Sequence, residues 1–120
     1  EELELSSDEV NMRDEQEILN IVADRVVRYT KINTSRPRVM IITNSEKPVT
    51  VVIGPHDQEN ESITFTVDVT PLTKEQLLDS NAAGDSFVGG FLAELCIIMK
   101  NEDTSNHNYI LNKAQLTRCI

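Results

Sequence analysis

The chain has 120 residues, of which 11 are Lys or Arg and 20 are Asp or Glu, so its formal net charge is −9. A content of 39% hydrophobic and 26% charged residues excludes a disordered or fibrous protein, and the length suits one domain. A sequence pI of about 4.6 argues against binding nucleic-acid polymers or anionic membranes through bulk charge. It leaves room for a small anionic ligand at one local site.

Targeting and redox signals point to a cellular interior. No apolar run reaches the roughly 18 residues that a membrane span needs. The N-terminus, EELELSSDEV, lacks the basic start and apolar stretch of a signal peptide. Cys96 and Cys119 are too few for a disulfide framework, and Cys96 falls in an apolar helical pattern that predicts a buried thiol. We therefore expect a cytoplasmic protein and leave the nucleus open as a second location.

Acidic residues dominate the first 17 positions, with eight acids against the single base Arg13. Most of them fit a solvated face. Ser6 and Glu9 have the spacing of a helix capping box, and apolar residues then recur at helical spacing up to about Thr30. Those apolar residues are Ile18, Ile21, Val22, Val26 and Tyr29. The pattern predicts one long amphipathic helix or two short ones, and neither interpretation assigns a function.

Three β-type runs follow the break at Arg36-Pro37. They are RVMIIT at 38–43, VTVVI at 49–53 and SITFTVDV at 62–69. A turn is predicted at Gly54-Pro55, and a last helical pattern covers about 111–120 and stops without a C-cap, as if interrupted. His56 and His107 have no neighbours at ligand spacing and are interpreted as surface residues. Helix, strands and helix in this order predict an α/β sheet protein.

The segment DSNAAGDSFVGGF, at 79–91, holds three of the four glycines. It leads into LAELCIIM, at 92–99, which predicts a helix buried on most sides. The small residues at 82–84 let the backbone approach a ligand, and the helix start offers unpaired N–H groups, so the segment predicts an anion site. Gly89-Gly90 predicts close packing of this helix against the sheet.

Asp85 needs an explanation of its own, because a carboxylate beside a bound phosphate would repel it. As an acid in the first helical turn, it would gain about 0.3–1 kcal/mol from the helix dipole. As a general base, it would take a proton from an attacking hydroxyl while the N–H groups stabilise the charge on a transferred phosphoryl group. Composition alone leaves both interpretations open.

The same segment closely resembles DTNGAGDAFVGGF, the signature of the ribokinase-like (PfkB) carbohydrate kinases in the form that adenosine kinases carry. The order of elements is also similar, so the resemblance covers essentially all 120 residues, most strongly 79–95. It implies an α/β fold class, as part of a ribokinase-like, Rossmann-like three-layer α/β/α domain without its lid. Residues 1–120 would then form a partial PfkB domain, the ATP-side portion.

The resemblance implies transfer of a phosphoryl group from ATP, the co-substrate, to the 5′-hydroxyl of adenosine, with Mg²⁺ as cofactor. The product would be AMP, made in purine salvage. By position, Asp85 matches the catalytic base and Asn81 matches the Asn beside the nucleotide. The anion hole is matched by Ala82, Ala83 and Gly84. Glu4 matches the Glu of an Asn-x-x-Glu pattern that acts on Mg²⁺ through water, although Glu1 replaces the Asn.

Three positions depart from the family pattern. Ala82 stands where the family usually has Gly, and if this position needs a positive φ, a Cβ would cost on the order of 1 kcal/mol. Ser80 replaces Thr, and Asn44-Ser45 stands where a glycine is common.

Alternative functions stay open beside an adenosine kinase. They are another sugar or nucleoside kinase of the same fold, or a non-catalytic remnant that keeps nucleotide binding. The chain contains no counterpart of the family's sugar-binding half, lid or adenine-flanking helices. We therefore expect the isolated 120 residues to be poorly active and to aggregate, and the full-length protein to be a monomer whose small-molecule partners are adenosine and ATP.

Overall fold

The computed structural model describes residues 14–55, 61–77, 79–101 and 110–120. The elements in chain order are α1 (Glu15–Val27), β1 (Val39–Asn44), β2 (Lys47–Ile53), β3 (Ile63–Val67), α2 (Ala83–Asn101) and α3 (Lys113–Cys119). The strands form one sheet in the order β1-β2-β3. The predicted α/β class is confirmed, and each predicted strand is found with small shifts at its ends. No described helix combines the length and apolar content of a membrane span.

The start of α1 is set by Asp14. The Glu17 N–H donates to Asp14 Oδ1 at 2.8 Å, which satisfies one of the free amides of the first turn. The helix ends at Val27, so the predicted extension to Thr30 is wrong: the N–H groups of Arg28 and Tyr29 bond three residues back and close the helix. The predicted capping box at Ser6 and Glu9 lies outside the described residues.

The core of the first half of the chain lies between α1 and the sheet. Ala23 and Val27 of α1 pack with Val52 of β2, and Met40 and Ile42 of β1 pack against this cluster. The central strand β2 is buried from 49 to 53. The one buried polar side chain in this strand is Thr50, whose hydroxyl accepts a hydrogen bond from Gln16 Nε2 at 2.9 Å. The burial of this hydroxyl is therefore compensated.

Gly54 follows β2 at a point of close backbone approach. Its N–H donates to the Arg38 carbonyl at 2.7 Å. A Cβ at this position would lie 2.9 Å from both the Cβ and the carbonyl oxygen of Val27. The predicted turn at Gly54-Pro55 thus needs glycine because of space, since its φ is not positive.

A two-residue turn, Ser45-Glu46, connects β1 to β2, so these strands are antiparallel. Ser45 has a φ of 51°, in the left-handed region that favours glycine. This is where the family pattern commonly has a glycine. The serine is therefore placed in the conformation that glycine adopts without a steric cost.

The described residues divide into two compact units, and the second contains residues 44–49 together with α2 and α3. In this second unit α3 packs against α2. Asn112 and Gln115 form a capping box at the start of α3, with two hydrogen bonds of 3.0 Å. Leu116, Cys119 and Ile98 are buried there. Burial raises the pKa of the Cys119 thiol.

Two predictions about α2 are wrong within the described residues. Ile98 is its one buried residue, so the helix is not buried on most sides, and the Cys96 thiol is exposed. Among the described elements α3 packs against α2, and its seven residues cover one stripe of the 19-residue helix. The packing against the sheet predicted at Gly89-Gly90 stays a prediction. The apolar side chains left about half exposed are Val88, Leu92 and Ile97.

Candidate active site

The residues predicted to form an anion site lie at the N-terminal end of α2. The helix begins at Ala83, so Ala82 immediately precedes it and Asp85 falls in its first turn. Residues 79–86 are all exposed. The residues predicted as the anion hole and as the base therefore lie at one exposed helix end.

A tight turn leads into α2, and local hydrogen bonds shape it. Asp79 Oδ1 accepts from the backbone N–H of Asn81 at 2.8 Å, and Asp79 Oδ2 accepts from Asn81 Nδ2 at 3.3 Å. The Ser80 carbonyl accepts from the Ala83 N–H at 3.3 Å. Such side-chain bonds to nearby backbone favour turns over continued helix. They keep the helix from starting before Ala83.

The amides of the predicted anion hole differ in availability. The Ala83 N–H is engaged with Ser80, although its 3.3 Å distance is long for such a bond. In the part of the chain that the structure describes, the N–H groups of Gly84 and Asp85 have no acceptor. Free donors and the positive end of the helix dipole at this place can hold an anion such as a phosphoryl oxygen.

Ala82 has a φ of 59°, which places it in the left-handed region. A Cβ in this conformation costs about 1–2 kcal/mol. The positive φ that makes a Cβ costly at this position is therefore present. The chain keeps a strained residue immediately before the helix that carries the predicted site, and strain of this kind persists only where surrounding contacts hold it.

Asp85 is exposed, and no hydrogen bond or ion pair to it occurs among residues 14–55, 61–77, 79–101 and 110–120. A carboxylate in this state is able to accept a proton from a hydroxyl brought within hydrogen-bond distance. It also stands where the helix dipole favours an acid. The geometry is compatible with both interpretations of Asp85 that the sequence left open.

The predicted Mg²⁺ site cannot be built from the described residues. Glu4 lies outside them, as do His56 and His107. No group of three His, Cys, Asp or Glu side chains in the described ranges is arranged to hold a metal ion. The carboxylate of Asp79, at the start of the signature, is engaged with Asn81. The assignment of Glu4 stays a prediction.

A second feature, absent from the sequence analysis, is a cleft of about 500 Å³ along α1 and β3 that contains no signature residue. Asp24, Arg28 and Ser62 form a hydrogen-bonded triangle in it: Arg28 Nε contacts Asp24 Oδ2 at 2.9 Å, Arg28 Nη2 donates to Ser62 Oγ at 3.2 Å, and Ser62 donates to Asp24. The bond from Arg28 holds the pKa of Asp24 below its usual value. The i,i+4 spacing of Asp24 and Arg28 was the available sequence signal.

Comparison with known proteins gives a consistent set of matches. The model of the pfkB family carbohydrate kinases matches residues 3–104. The adenosine kinase of Schizophyllum commune is 33% identical over 98 residues, which are 82% of this chain and 27% of that protein. The adenosine kinase of Dictyostelium discoideum is 36% identical over 77 residues, 64% of this chain and 21% of that protein.

A solved structure is also similar. The crystal structure of Anopheles gambiae adenosine kinase in complex with P1,P4-di(adenosine-5) tetraphosphate aligns with a TM-score of 0.63 and 28% identity. The alignment covers 94% of this chain and 28% of that one. The chain therefore spans about a quarter of the length of the relatives that it matches.

Proposed function

The chain belongs to the pfkB family of carbohydrate kinases, and from this premise we propose that it is the ATP-side portion of an adenosine kinase. Its α/β fold is that of the family, as the sequence predicted. In this proposal the whole protein transfers the γ-phosphoryl group of ATP to the 5′-hydroxyl of adenosine. Matched relatives from fungi, an amoeba and a plant are adenosine kinases, which supports a nucleoside acceptor over a free sugar.

The observation that carries the proposal is the position of Asp85, exposed in the first turn of α2 beside the free amide of Gly84. In the reaction, the Asp85 carboxylate takes the proton of the 5′-hydroxyl as its oxygen bonds to the γ-phosphorus. The bond from that phosphorus to the β,γ-bridging oxygen breaks, and ADP leaves with the electron pair. The helix amides stabilise the negative charge on the oxygens of the moving group.

The general base and the amide donor of this site make separate contributions to the rate acceleration. A general base contributes roughly 10²–10⁴-fold, and one amide donor to a developing negative charge contributes about 2.7–4 kcal/mol. Asp85 and the amide of Gly84 lie in the same helical turn, so the base and the donor act at the same place on the protein. Holding the acceptor hydroxyl over Asp85 is left to the rest of the protein, and this positioning supplies most of the remaining acceleration.

Further parts of the proposal rest on the family resemblance alone. They are Asn81 beside the nucleotide, Mg²⁺ accompanying ATP with Glu4 acting through water, a monomeric full-length protein, a cytoplasmic location and a role in purine salvage. Residues 1–120 are proposed to be a partial domain. The isolated chain is then expected to be poorly active, since it spans about a quarter of the matched kinases.

The experiment that tests the proposal is Asp85→Asn in the complete protein that carries this sequence. We expect AMP formation from adenosine and ATP to fall by roughly 10²–10⁴ in kcat, while circular dichroism stays unchanged. Asp68→Asn is the matched control, because Asp68 is an exposed carboxylate outside the signature and its removal should leave kcat unchanged. Unchanged kcat in the Asp85 variant would refute the base assignment.

Substrate comparison separates the alternative functions. Preference for ribose or fructose over adenosine would identify another kinase of the same family. ATP binding without phosphoryl transfer, and without any effect of Asp85→Asn, would identify a non-catalytic remnant. Transfer to adenosine that depends on Asp85 supports the proposal.

A further inference from the structure

Asp79 uses both of its carboxylate oxygens on a single neighbour. Oδ1 accepts from the backbone N–H of Asn81 at 2.8 Å, and Oδ2 accepts from the side-chain Nδ2 of the same residue at 3.3 Å. Asn81 is thus held at its backbone and at its side chain. Bonds to an ionised acceptor are among the stronger hydrogen bonds in proteins.

What this pair holds is the approach to α2. Asn81 immediately precedes Ala82, whose φ of 59° is unfavourable for a residue with a Cβ. Ala82 in turn immediately precedes the first residue of α2. On its helix side, Ala82 is held by its carbonyl, which accepts from the Ser86 N–H at 2.9 Å. On the side that leads into Ala82, the bonds are those that Asp79 accepts from Asn81 and the long one from the Ala83 N–H to the Ser80 carbonyl. Without Asp79, the approach to Ala82 would keep only the long bond.

We propose that Asp79 is a positioning residue that holds the left-handed turn at Ala82, and thereby fixes where the Gly84 amide and the Asp85 carboxylate are presented. This inference rests on the proposed function of Asp85. The inference also gives Asn81 a role other than the one beside the nucleotide that the family resemblance implies. Its side-chain NH₂ is bonded to Asp79, so it supports the turn.

The test uses the complete protein and compares Asp79→Ala with Asp79→Asn. The Ala variant removes both acceptors, and we expect kcat to fall by ~10²-fold, because a misplacement of about 1 Å has that effect on a reacting group. KM for adenosine and for ATP should stay within about twofold, since only the transition-state geometry is disturbed. Asp79→Asn keeps an acceptor for the Asn81 N–H and should recover most of the lost kcat.

Asn33→Ala is the matched control. Asn33 Oδ1 accepts from the backbone N–H of Ser35 at 2.9 Å, a turn of the same kind outside the signature. Its loss should leave kcat unchanged. Asp79→Ala could lower the thermal midpoint more than Asn33→Ala does, and Asp79→Asn then tests the positioning role. A folded Asp79→Asn protein that is as inactive as Asp85→Asn would contradict that role.

The outcomes separate the two proposals. A large effect of Asp85→Asn with nearly normal kcat in Asp79→Ala would overturn the inference and leave the proposed function standing. Normal kcat in Asp85→Asn would overturn both. Asn81→Ala keeps the backbone bond to Asp79, so it should be milder than Asp79→Ala, and the reverse order would show that the Asn81 side chain serves the nucleotide instead.

Discussion

The sheet with α1 and the helix α2 use their apolar residues in opposite ways. Ala23, Val27 and Val52 are almost completely buried in one cluster between α1 and the sheet. In α2, one residue of 19 is buried, while Val88 and Leu92 remain about half exposed. Sequence patterns alone would rank α2 as the more buried helix, since it is the more apolar of the two.

An apolar helix is buried only where a partner surface is present, and this chain spans about a quarter of the length of the matched kinases. Burial needs a partner surface of matching length, and α3 offers seven residues where α2 has 19. The first region is held by packing, whereas α2 displays both its apolar surface and the residues of the proposed site. Paired substitutions at similar residues test this contrast.

The largest effect is expected from two adjacent isoleucines of α2. Ile98 is 3% exposed and Ile97 is 50% exposed. Ile98→Ala should lower the free energy of unfolding by about 2–5 kcal/mol, because it leaves a cavity. Ile97→Ala should change it by no more than about 0.5 kcal/mol. Urea denaturation of the complete protein, followed by circular dichroism, measures both, and equal losses would show that residues outside these 120 cover this face of α2.

Two glycines should respond with opposite signs. Gly54→Ala places a Cβ 2.9 Å from Val27 atoms and should destabilise the fold by about 1–3 kcal/mol through overpacking. Gly90→Ala meets no atom within 4 Å and should stabilise α2 by roughly 0.5–1 kcal/mol, because alanine is the better helix former. Thermal melts of the two variants give the signs, and a destabilising Gly90→Ala would contradict the open helix face.

The strained turn gives a smaller effect. Ala82→Gly removes the Cβ from a residue with a φ of 59°. The strain relieved in the folded protein exceeds the effect of the greater conformational entropy of glycine in the unfolded chain. The substitution should therefore raise the free energy of unfolding by about 0.5–1 kcal/mol. Ala83→Gly, one residue into α2, should lower it by a similar amount. Chemical denaturation of both variants is the measurement. A loss of stability in both would mean that Ala82 is not strained.

The smallest effect is a pH dependence in the first region. The hydrogen bond from Arg28, with a second from Ser62, lowers the pKa of Asp24 in the folded protein, against the effect of burial. A lowered folded-state pKa stabilises the fold above the ordinary pKa of aspartate, and this contribution is lost as the pH falls through the lowered value. Because the pair is 37% and 39% exposed, salt should weaken the contribution.

Thermal midpoints of the native protein and of Asp24→Asn, measured from pH 7 down to pH 2, test this expectation. The difference between them should be largest near neutral pH and shrink in acid. Glu17→Gln is a suitable control, because it removes one acidic charge from the same helix and leaves Asp24 in place. A constant difference at every pH would contradict the linkage.

Much of the fold could be predicted because local signals determine it. The β-branched runs predicted three strands, and the small residues before the apolar run predicted a helix start near Asp85. The end of α1 at Val27 and the exposure of Cys96 could not be predicted in the same way. Both depend on what packs beside an element, and spacing along the chain does not contain that information.

For the candidate site, too, some features could be predicted from local sequence signals and others could not. The positions of Ala82, Ala83, Gly84 and Asp85 at one helix end were predictable from small residues before an apolar run. The two bonds that Asn81 donates to Asp79 were not predicted, although an Asp two residues before an Asn is typical of a side-chain-stabilised turn. The sequence predicted strain at Ala82 only for the case of a positive φ. It could not predict the φ itself, because that angle depends on the turn that contains the residue.

The contrast between the two cysteines gives the protein a natural attachment point for a reporter. Cys96 is open to solvent on α2, whereas Cys119 is buried and burial raises its thiol pKa, so little reactive thiolate forms there at neutral pH. Within these 120 residues, a maleimide fluorophore should therefore modify Cys96 ahead of Cys119. Its emission would follow any event that covers the exposed side of α2, without a single substitution in the chain.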